Sequence, residues 1–402
     1  MRRDSEAINL NAMHSDEIRA VVDWLIDGAR SAPLPQQVLA QLSDRLVACG
    51  IPLWRVAVYV RTLHPQVMGR RFIWRPGAEI EESEAPFGML ETAEFLNSPV
   101  ARVYETSRPV RRKLTDPNCA VDFPVLGDLR AEGVTDYLAS PLLFTDGAVH
   151  VVTCTTRQIG GFTDEQIAKL EAVMTPLARV AEIRALRRMA GILLDTYVGH
   201  DAGERILAGR IRRGDIEEIH AAIWLSDMRG FTALADRLPP RVLIDLLNRY
   251  FDCQVPVILE HGAEVLKFMG DGLLAIFAIT GDETEVCKRA LAAARQAQTN
   301  IAELSRSAMP GLRFGLALHI GDVLYGNVGS GSRLDFTCIG PAVNFAARIE
   351  KLTGQVGREI LASGEFARHC PDEFTALGEF TLPGFSATQQ VFGLENEAPA
   401  VA

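Results

Sequence analysis

Asp227 and Asp271 each close an apolar run. Asp227 stands in Ile223-Trp-Leu-Ser-Asp-Met-Arg-Gly-Phe-Thr232, and Asp271 in Val265-Leu-Lys-Phe-Met-Gly-Asp-Gly-Leu-Leu-Ala-Ile-Phe277. A carboxylate at the mouth of a buried strand is costly to keep charged unless a cation meets it there. Two of them on neighbouring strands make a seat for divalent metal and phosphate oxygens. Each also has a plain structural reading. Asp227 follows Ser226 ahead of a helix-like stretch and fits an N-cap, while Asp271 in Gly-Asp-Gly fits an ordinary hairpin turn.

The elements that would position them decide between these readings. From His220 the pattern runs strand (221–227), helix (240–261), strand (263–269), strand (273–278), helix (283–306), strand (312–320). This βαββαβ order is the ferredoxin-like plan. In such a sheet the first and third strands are central neighbours, and the turn after the second strand lies beside the end of the first. Both carboxylates should then converge within reach of two ions ~3.5–4 Å apart. A hairpin (323–328 and 334–339), a helix (342–352) and terminal strands extend the unit. On that helix Asn344 and Arg348 lie four apart and share a face, which the bland reading leaves as a solvated surface.

The preceding 190 residues read as a separate α/β unit. Helical periodicity covers 16–30 and 34–49, and a strand-like stretch covers 54–60. A helical segment (91–106) leads into a basic loop (108–113). The hairpin 136–144/149–155 turns on Thr145-Asp-Gly147, where glycine supplies a positive φ. Thr163 and Gln166 have capping-box spacing, and Asp164 and Glu165 suit the positive end of a helix. That helix, of about 27 residues by its apolar steps from Ile167 to Met189, suits a connector or a pairing with its own copy. Residues 195–209 read as a short linker with glycine punctuation. Residues from Asn396 read as a frayed tail.

Composition narrows the function class. At 402 residues the chain is long enough for two or three cores. A net charge of −10 argues against a nucleic-acid binder working through a basic face. Any anionic substrate must therefore be held by local cations or metal. Seven scattered cysteines with no C-x-x-C pair fit reduced thiols in a cytoplasmic protein. The start, Met1-Arg-Arg-Asp-Ser-Glu6, lacks a signal-peptide apolar region, and no apolar stretch approaches a membrane span.

Four ordered motifs carry a resemblance. Ser226-Asp-Met-Arg-Gly-Phe-Thr232, Lys267-Phe-Met-Gly-Asp-Gly272, Arg313-Phe-Gly-Leu-Ala-Leu-His-Ile-Gly321 and Asp335-Phe-Thr-Cys-Ile-Gly-Pro-Ala-Val-Asn-Phe-Ala-Ala-Arg348 together resemble the catalytic domain of class III nucleotidyl cyclases of bacterial type. The element order of the first unit resembles a GAF-type sensory domain, with a purely dimerising use of that fold as the alternative. The resemblance implies three regions: a GAF-like regulatory domain (1–185), a connecting helix and linker (186–218) and a cyclase catalytic domain (219–395). It further implies an adenylate cyclase, a phosphorus–oxygen lyase that converts ATP to 3′,5′-cyclic AMP and diphosphate in signal transduction.

The same resemblance assigns roles. Asp227, Asp271 and the Met228 carbonyl would hold two Mg²⁺ per site, with Mn²⁺ able to substitute. Asn344 would orient the ribose, and Arg348 would neutralise charge developing on phosphorus. Lys267 and Thr337 would read adenine, and Arg313 would contact the triphosphate; the bland reading of Lys267 is a strand-edge cation paired with Glu264 or another acid. The metal ligands and the Asn/Arg pair would come from opposite subunits of a homodimer. An unidentified small-molecule or protein effector would act at the N-terminal domain. Phe231 reads as a packing residue.

One position departs from the family. Leu382-Pro-Gly384 puts Pro383 where members usually carry a phosphate-binding lysine, and proline has no N–H to donate. A lost charge-assisted contact costs ~1.5–3 kcal/mol of binding, so weaker ATP affinity is expected. A degenerate cyclase acting as a nucleotide-binding scaffold, and a guanylate cyclase, are the competing expectations.

Overall fold

The computed structural model describes residues 16–62 and 67–395, and the expectations for the first residues and for the tail from Asn396 lie outside them. The described chain forms two compact units that divide between Leu193 and Leu194.

The first unit is a mixed α/β layer structure. Its six antiparallel strands are β1 (Arg55–Arg61), β2 (Val67–Trp74), β3 (Glu81–Pro86), β4 (Val110–Lys113), β5 (Asp136–Leu143) and β6 (Val149–Thr156), in the order β3-β2-β1-β6-β5-β4. The period of two along β1 sorts its side chains. Val56 and Val58 join the core beneath the helices Asp16–Ile26, Pro35–Ala48 and Asp164–Val198, while Tyr59 packs on the opposite face against Val103 and Leu126. The capping box is present: Thr163 N donates to Gln166 Oε1 at 3.0 Å, and Gln166 N to Thr163 Oγ1 at 3.2 Å.

Several sequence expectations here need correction. The basic loop is partly strand β4, which pairs with β5. The helix expected over 91–106 is broken, because Ser98 caps a new helix that starts at Pro99 and its Oγ accepts from Ala101 N at 3.1 Å. The connector helix is 35 residues long, not about 27. Strands β2 and β3 and the helix Pro124–Ala131 were not anticipated.

The second unit has the expected βαββαβ order around an eight-stranded sheet. Its strands are β7 (Ile216–Met228), β8 (Glu264–Met269), β9 (Gly272–Ala278), β10 (Phe314–Ser330), β11 (Arg333–Ile339), β12 (Ile360–Ser363), β13 (Phe374–Phe380) and β14 (Gln389–Leu394). The order is β13-β14-β12-β10-β7-β9-β8, with β11 pairing the outer part of β10. β7 thus lies between β10 and β9, the central place expected for the first strand.

One face buries Trp224, Phe277 and Phe314 against the helices Pro240–Asp252 and Glu283–Ser307. The other carries the helices His200–Leu207 and Pro341–Val356. The helix expected over 240–261 is two helices, the second Val255–Glu260, since Pro256 cannot donate into a continuous ladder. The two short strands expected over 312–328 are one 17-residue strand. Among the described residues no helix is long and apolar enough to cross a membrane.

Candidate active site

Asp227 and Asp271 come together. Asp227 lies one residue before the end of β7, and the β7–β9 register pairs Ser226 with Leu273. The Gly270-Asp271 turn joining β8 to β9 therefore sits beside the end of β7. Gly270 takes φ +71° there, and Met269 pairs directly with Gly272 across a two-residue turn.

The Asp271 carboxyl lies close enough to act on that of Asp227. Burial is the main cause that pushes the Asp227 carboxyl up, to about 7. The hydrogen bond and charge of Asp271 add to it, Glu350 adds further, and Arg229 opposes. Two acids crowded this way are what a divalent cation relieves.

Behind Asp227 a buried polar relay fixes the strand end. Trp224 Nε1 donates to Ser226 Oγ at 3.2 Å, and Ser226 Oγ donates to Gln254 Oε1 at 2.7 Å. Phe231 packs against the main core, as expected.

Two residues that the sequence reading passed over complete the loop. Arg229 donates to the Glu350 carboxylate at 2.7 Å and to its main-chain carbonyl at 2.9 Å. The Arg229 N–H donates to the Arg313 carbonyl at 2.9 Å. Glu350 is buried on the helix Pro341–Val356 between Ile349 and Leu352. A carboxylate on the apolar face of a helix needs a partner, and that was the available signal. Gly315, opposite Asp227 in the β7–β10 register, makes room for the pair. A Cβ at that position would fall 1.8 Å from Arg229 Nη2 and 2.2 Å from Thr353 Oγ1.

The expected base-reading residues lie on β8 and β11. Lys267 is half-buried on β8, close enough for its charge to act on the Cys338 thiol next to Thr337. Thr337 is buried on β11, and its Oγ1 has no hydrogen-bond partner among the described residues. Glu264 does not pair with Lys267. Its carboxylate accepts from Tyr325 Oη at 2.5 Å and from Ala202 N at 3.1 Å. The connector thereby docks on the start of β8, and Gly199 (φ +94°) packs so close that a Cβ there would lie 3.0 Å from Glu264 Oε1.

Asn344 is exposed and Arg348 half-buried on the helix Pro341–Val356. Glu350 follows Arg348 by two residues, about 200° around the helix. The Asn344/Arg348 face is therefore turned away from the Asp227–Asp271 pair of the same chain. Arg313 is exposed just ahead of β10. Pro383 is exposed in a turn closed by Phe385 N to Leu382 O at 3.0 Å.

The donor chemistry fits a metal bound together with a nucleotide. Among the described residues no group of three or more His, Cys, Asp or Glu side chains gathers to hold an ion. Two carboxylates and the neighbouring Met228 carbonyl are a typical Mg²⁺ set, because that ion usually takes one or two carboxylates and fills its shell with phosphate oxygens and water.

Comparison with known proteins agrees with this geometry. Residues 216–395 match the family described as the adenylate and guanylate cyclase catalytic domain. A 160-residue stretch is 33% identical to an adenylate cyclase of Anabaena cylindrica, covering 38% of this chain and 32% of that protein. A 182-residue stretch is 28% identical to adenylate cyclase 1 of Rhizobium meliloti (strain 1021), covering 44% of this chain and 27% of that protein. The chain thus spans about a third or less of the length of these relatives. Among solved structures, an adenylyl cyclase from P. aeruginosa aligns at 24% identity and a TM-score of 0.41, covering 46% of this chain and 99% of that one.

Proposed function

We propose that the class III adenylate/guanylate cyclase catalytic domain of this chain makes 3′,5′-cyclic AMP and diphosphate from ATP, in a homodimer regulated by its N-terminal unit. The observation that carries this reading is the meeting of Asp227 and Asp271 at the end of the central strand, set by the β7–β9 and β8–β9 registers. Such a pair is expensive to bury for packing alone.

In the proposed reaction the ribose 3′-oxygen attacks the α-phosphorus. The bond from that phosphorus to the bridging oxygen breaks, the hydroxyl proton is lost, and diphosphate departs. Asp227, Asp271 and the Met228 carbonyl would hold Mg²⁺, or Mn²⁺ in its place. Two such ions, when bound, supply acidification of the 3′-hydroxyl and neutralisation of the triphosphate.

The remaining roles belong to the protein. Arg313 offers an exposed guanidinium to the triphosphate. Lys267 donates to the base, and the unpartnered Thr337 hydroxyl is available to the same ring. Asn344 orients the ribose, and Arg348 answers the charge that grows on the phosphoryl oxygens. Because the Asn344/Arg348 face turns away from its own chain's carboxylate pair, a second copy must bring that face to the metal seat. Residues 1–185 would act as a GAF-like sensory domain, with 186–218 as the connection.

The test is cyclic nucleotide formation by the full-length protein with Mn²⁺ and either ATP or GTP, with Asp271→Ala alongside. Cyclic AMP formation abolished in Asp271→Ala supports the reading. Preferred turnover of GTP would overturn the base assignment, and absence of any cyclic product would leave a nucleotide-binding scaffold.

A further inference from the structure

Beneath the end of β7 lies a set of enclosed polar groups that packing alone does not explain. Trp224, Ser226 and Met228 alternate along one face of that strand, and Trp224 and Met228 belong to the core under the helices Pro240–Asp252 and Glu283–Ser307. All three are at most 2% exposed. Ser226 and Met228 bracket Asp227 in the chain, so whatever holds them holds the backbone on both sides of that carboxylate.

Gln254 is the residue that reaches Ser226. It is fully buried in the gap between the helices Pro240–Asp252 and Val255–Glu260, where Pro256 interrupts the ladder. An indole can only donate, so Ser226 Oγ accepts from Trp224 Nε1 and passes its own proton to Gln254 Oε1 at 2.7 Å. This orients the amide and leaves its Nε2 unspent. Both Nε2 and the Tyr250 hydroxyl are enclosed with no hydrogen bond of good geometry among the described residues. Tyr250 lies beside Gln254 and Ser226, and the charges of Asp227 and Asp271 reach it. Burial, the largest influence on that hydroxyl, keeps it protonated. Unspent donors in an apolar core are destabilising, and apolar side chains of the same size would avoid that penalty.

We propose that Gln254 and Tyr250 are positioning residues which, through Ser226, hold the end of β7 in a geometry that suits Mg²⁺ over a larger cation. Mg²⁺ demands near-octahedral oxygens at about 2.0–2.1 Å, whereas Ca²⁺ accepts looser sets at about 2.3–2.6 Å. A strand end anchored on both sides of Asp227 favours the stricter ion. The inference rests on the metal seat proposed above and adds the source of its rigidity.

The experiment follows the melting midpoint of the full-length protein during titration with MgCl₂ and, separately, CaCl₂ at constant ionic strength. Gln254→Met keeps the volume without the amide, Tyr250→Phe removes one oxygen, and Asp271→Ala is the control. Midpoints in EDTA give the structural cost of each change. In Gln254→Met the Mg²⁺ half-saturation should rise at least about 10-fold and that of Ca²⁺ less than about 3-fold, with Tyr250→Phe shifting the ratio the same way. Cyclic nucleotide formation should show the same rise in Mg²⁺ requirement, with little change in kcat at saturating metal. Equal weakening of both ions, or unchanged Mg²⁺ affinity in both variants while Asp271→Ala abolishes it, would overturn the proposal and leave the seat intact. A parent protein that Mg²⁺ does not stabilise, or an Asp271→Ala variant that it still does, would overturn the seat and the proposal together.

Discussion

Arg229 and Glu350 tie the carboxylate-bearing loop to the helix that carries Asn344 and Arg348. The guanidinium spans the Glu350 carboxylate at 2.7 Å and its carbonyl at 2.9 Å, with Glu350 almost fully buried. In the proposed dimer those two elements serve different active sites, so the pair couples one site to the other within each chain. Arg229→Ala should strip a buried carboxylate of its partner and destabilise the second unit by ~2 kcal/mol, below the usual cost for a fully buried pair because Arg229 is partly solvated. Urea unfolding checks this, and Arg229→Leu/Glu350→Leu should lose less than the two single changes summed.

Asp227 should make stability, and the proposed cation binding, depend on pH. Its folded pKa of about 7 stands above the unfolded value near 3.9. The folded state therefore binds more protons between these values, and its stability falls as pH rises through that window. Mg²⁺ or Mn²⁺ competes with the proton, so its stabilising effect should grow from pH 5.5 to 8. Melting midpoints with EDTA and with metal test this; in Asp227→Asn both trends should flatten. A metal effect independent of pH would count against the pair as the seat.

Gly315→Ala should be far more costly than its one methyl suggests. The new Cβ has no room beside Arg229 and Thr353, so the ion pair must move. A loss of ~2–3 kcal/mol is expected, the range of other overpacked cores. Unfolding midpoints and cyclic nucleotide formation should fall together.

Lys267→Glu tests base reading. Replacing the donor with an acceptor at a half-buried site should cut turnover of ATP by at least about 10-fold and narrow or reverse its preference over GTP. Circular dichroism should be unchanged, because Glu264 is already engaged by Tyr325 and Ala202 and not by Lys267.

Mixing inactive variants tests the shared site. In the proposed dimer Asp271→Ala and Arg348→Ala would damage opposite halves of the shared site, so a mixed dimer would keep one intact site. Random re-pairing of equal amounts should restore roughly a quarter of the parent activity. No recovery on mixing would argue for sites built within one chain.

The catalytic half was legible because its signals are local. Gly270-Asp-Gly272 reads as a turn wherever it occurs, and β7 is an apolar run that any topology would bury. The long-range facts were hidden. Nothing near Arg229 in sequence announces Glu350, 121 positions on. The 17-residue β10 looked like two strands because Gly321 and Asp322 imitate a break. In the first unit β3, Glu81-Glu-Ser-Glu-Ala-Pro86, has no apolar alternation at all. It is an edge strand held by pairing to β2, and edge strands carry charge to discourage further pairing.

The attachment of the connector to Glu264 has a mechanical consequence. β8 is six residues long, with Glu264 at one end, Lys267 midway and Asp271 just past the other end. It is a short strand, irregular between Val265 and Lys267, with Gly199 and Ala202 packed against its near tip. Any pull on that tip reaches Lys267 and Asp271 through a single run of backbone.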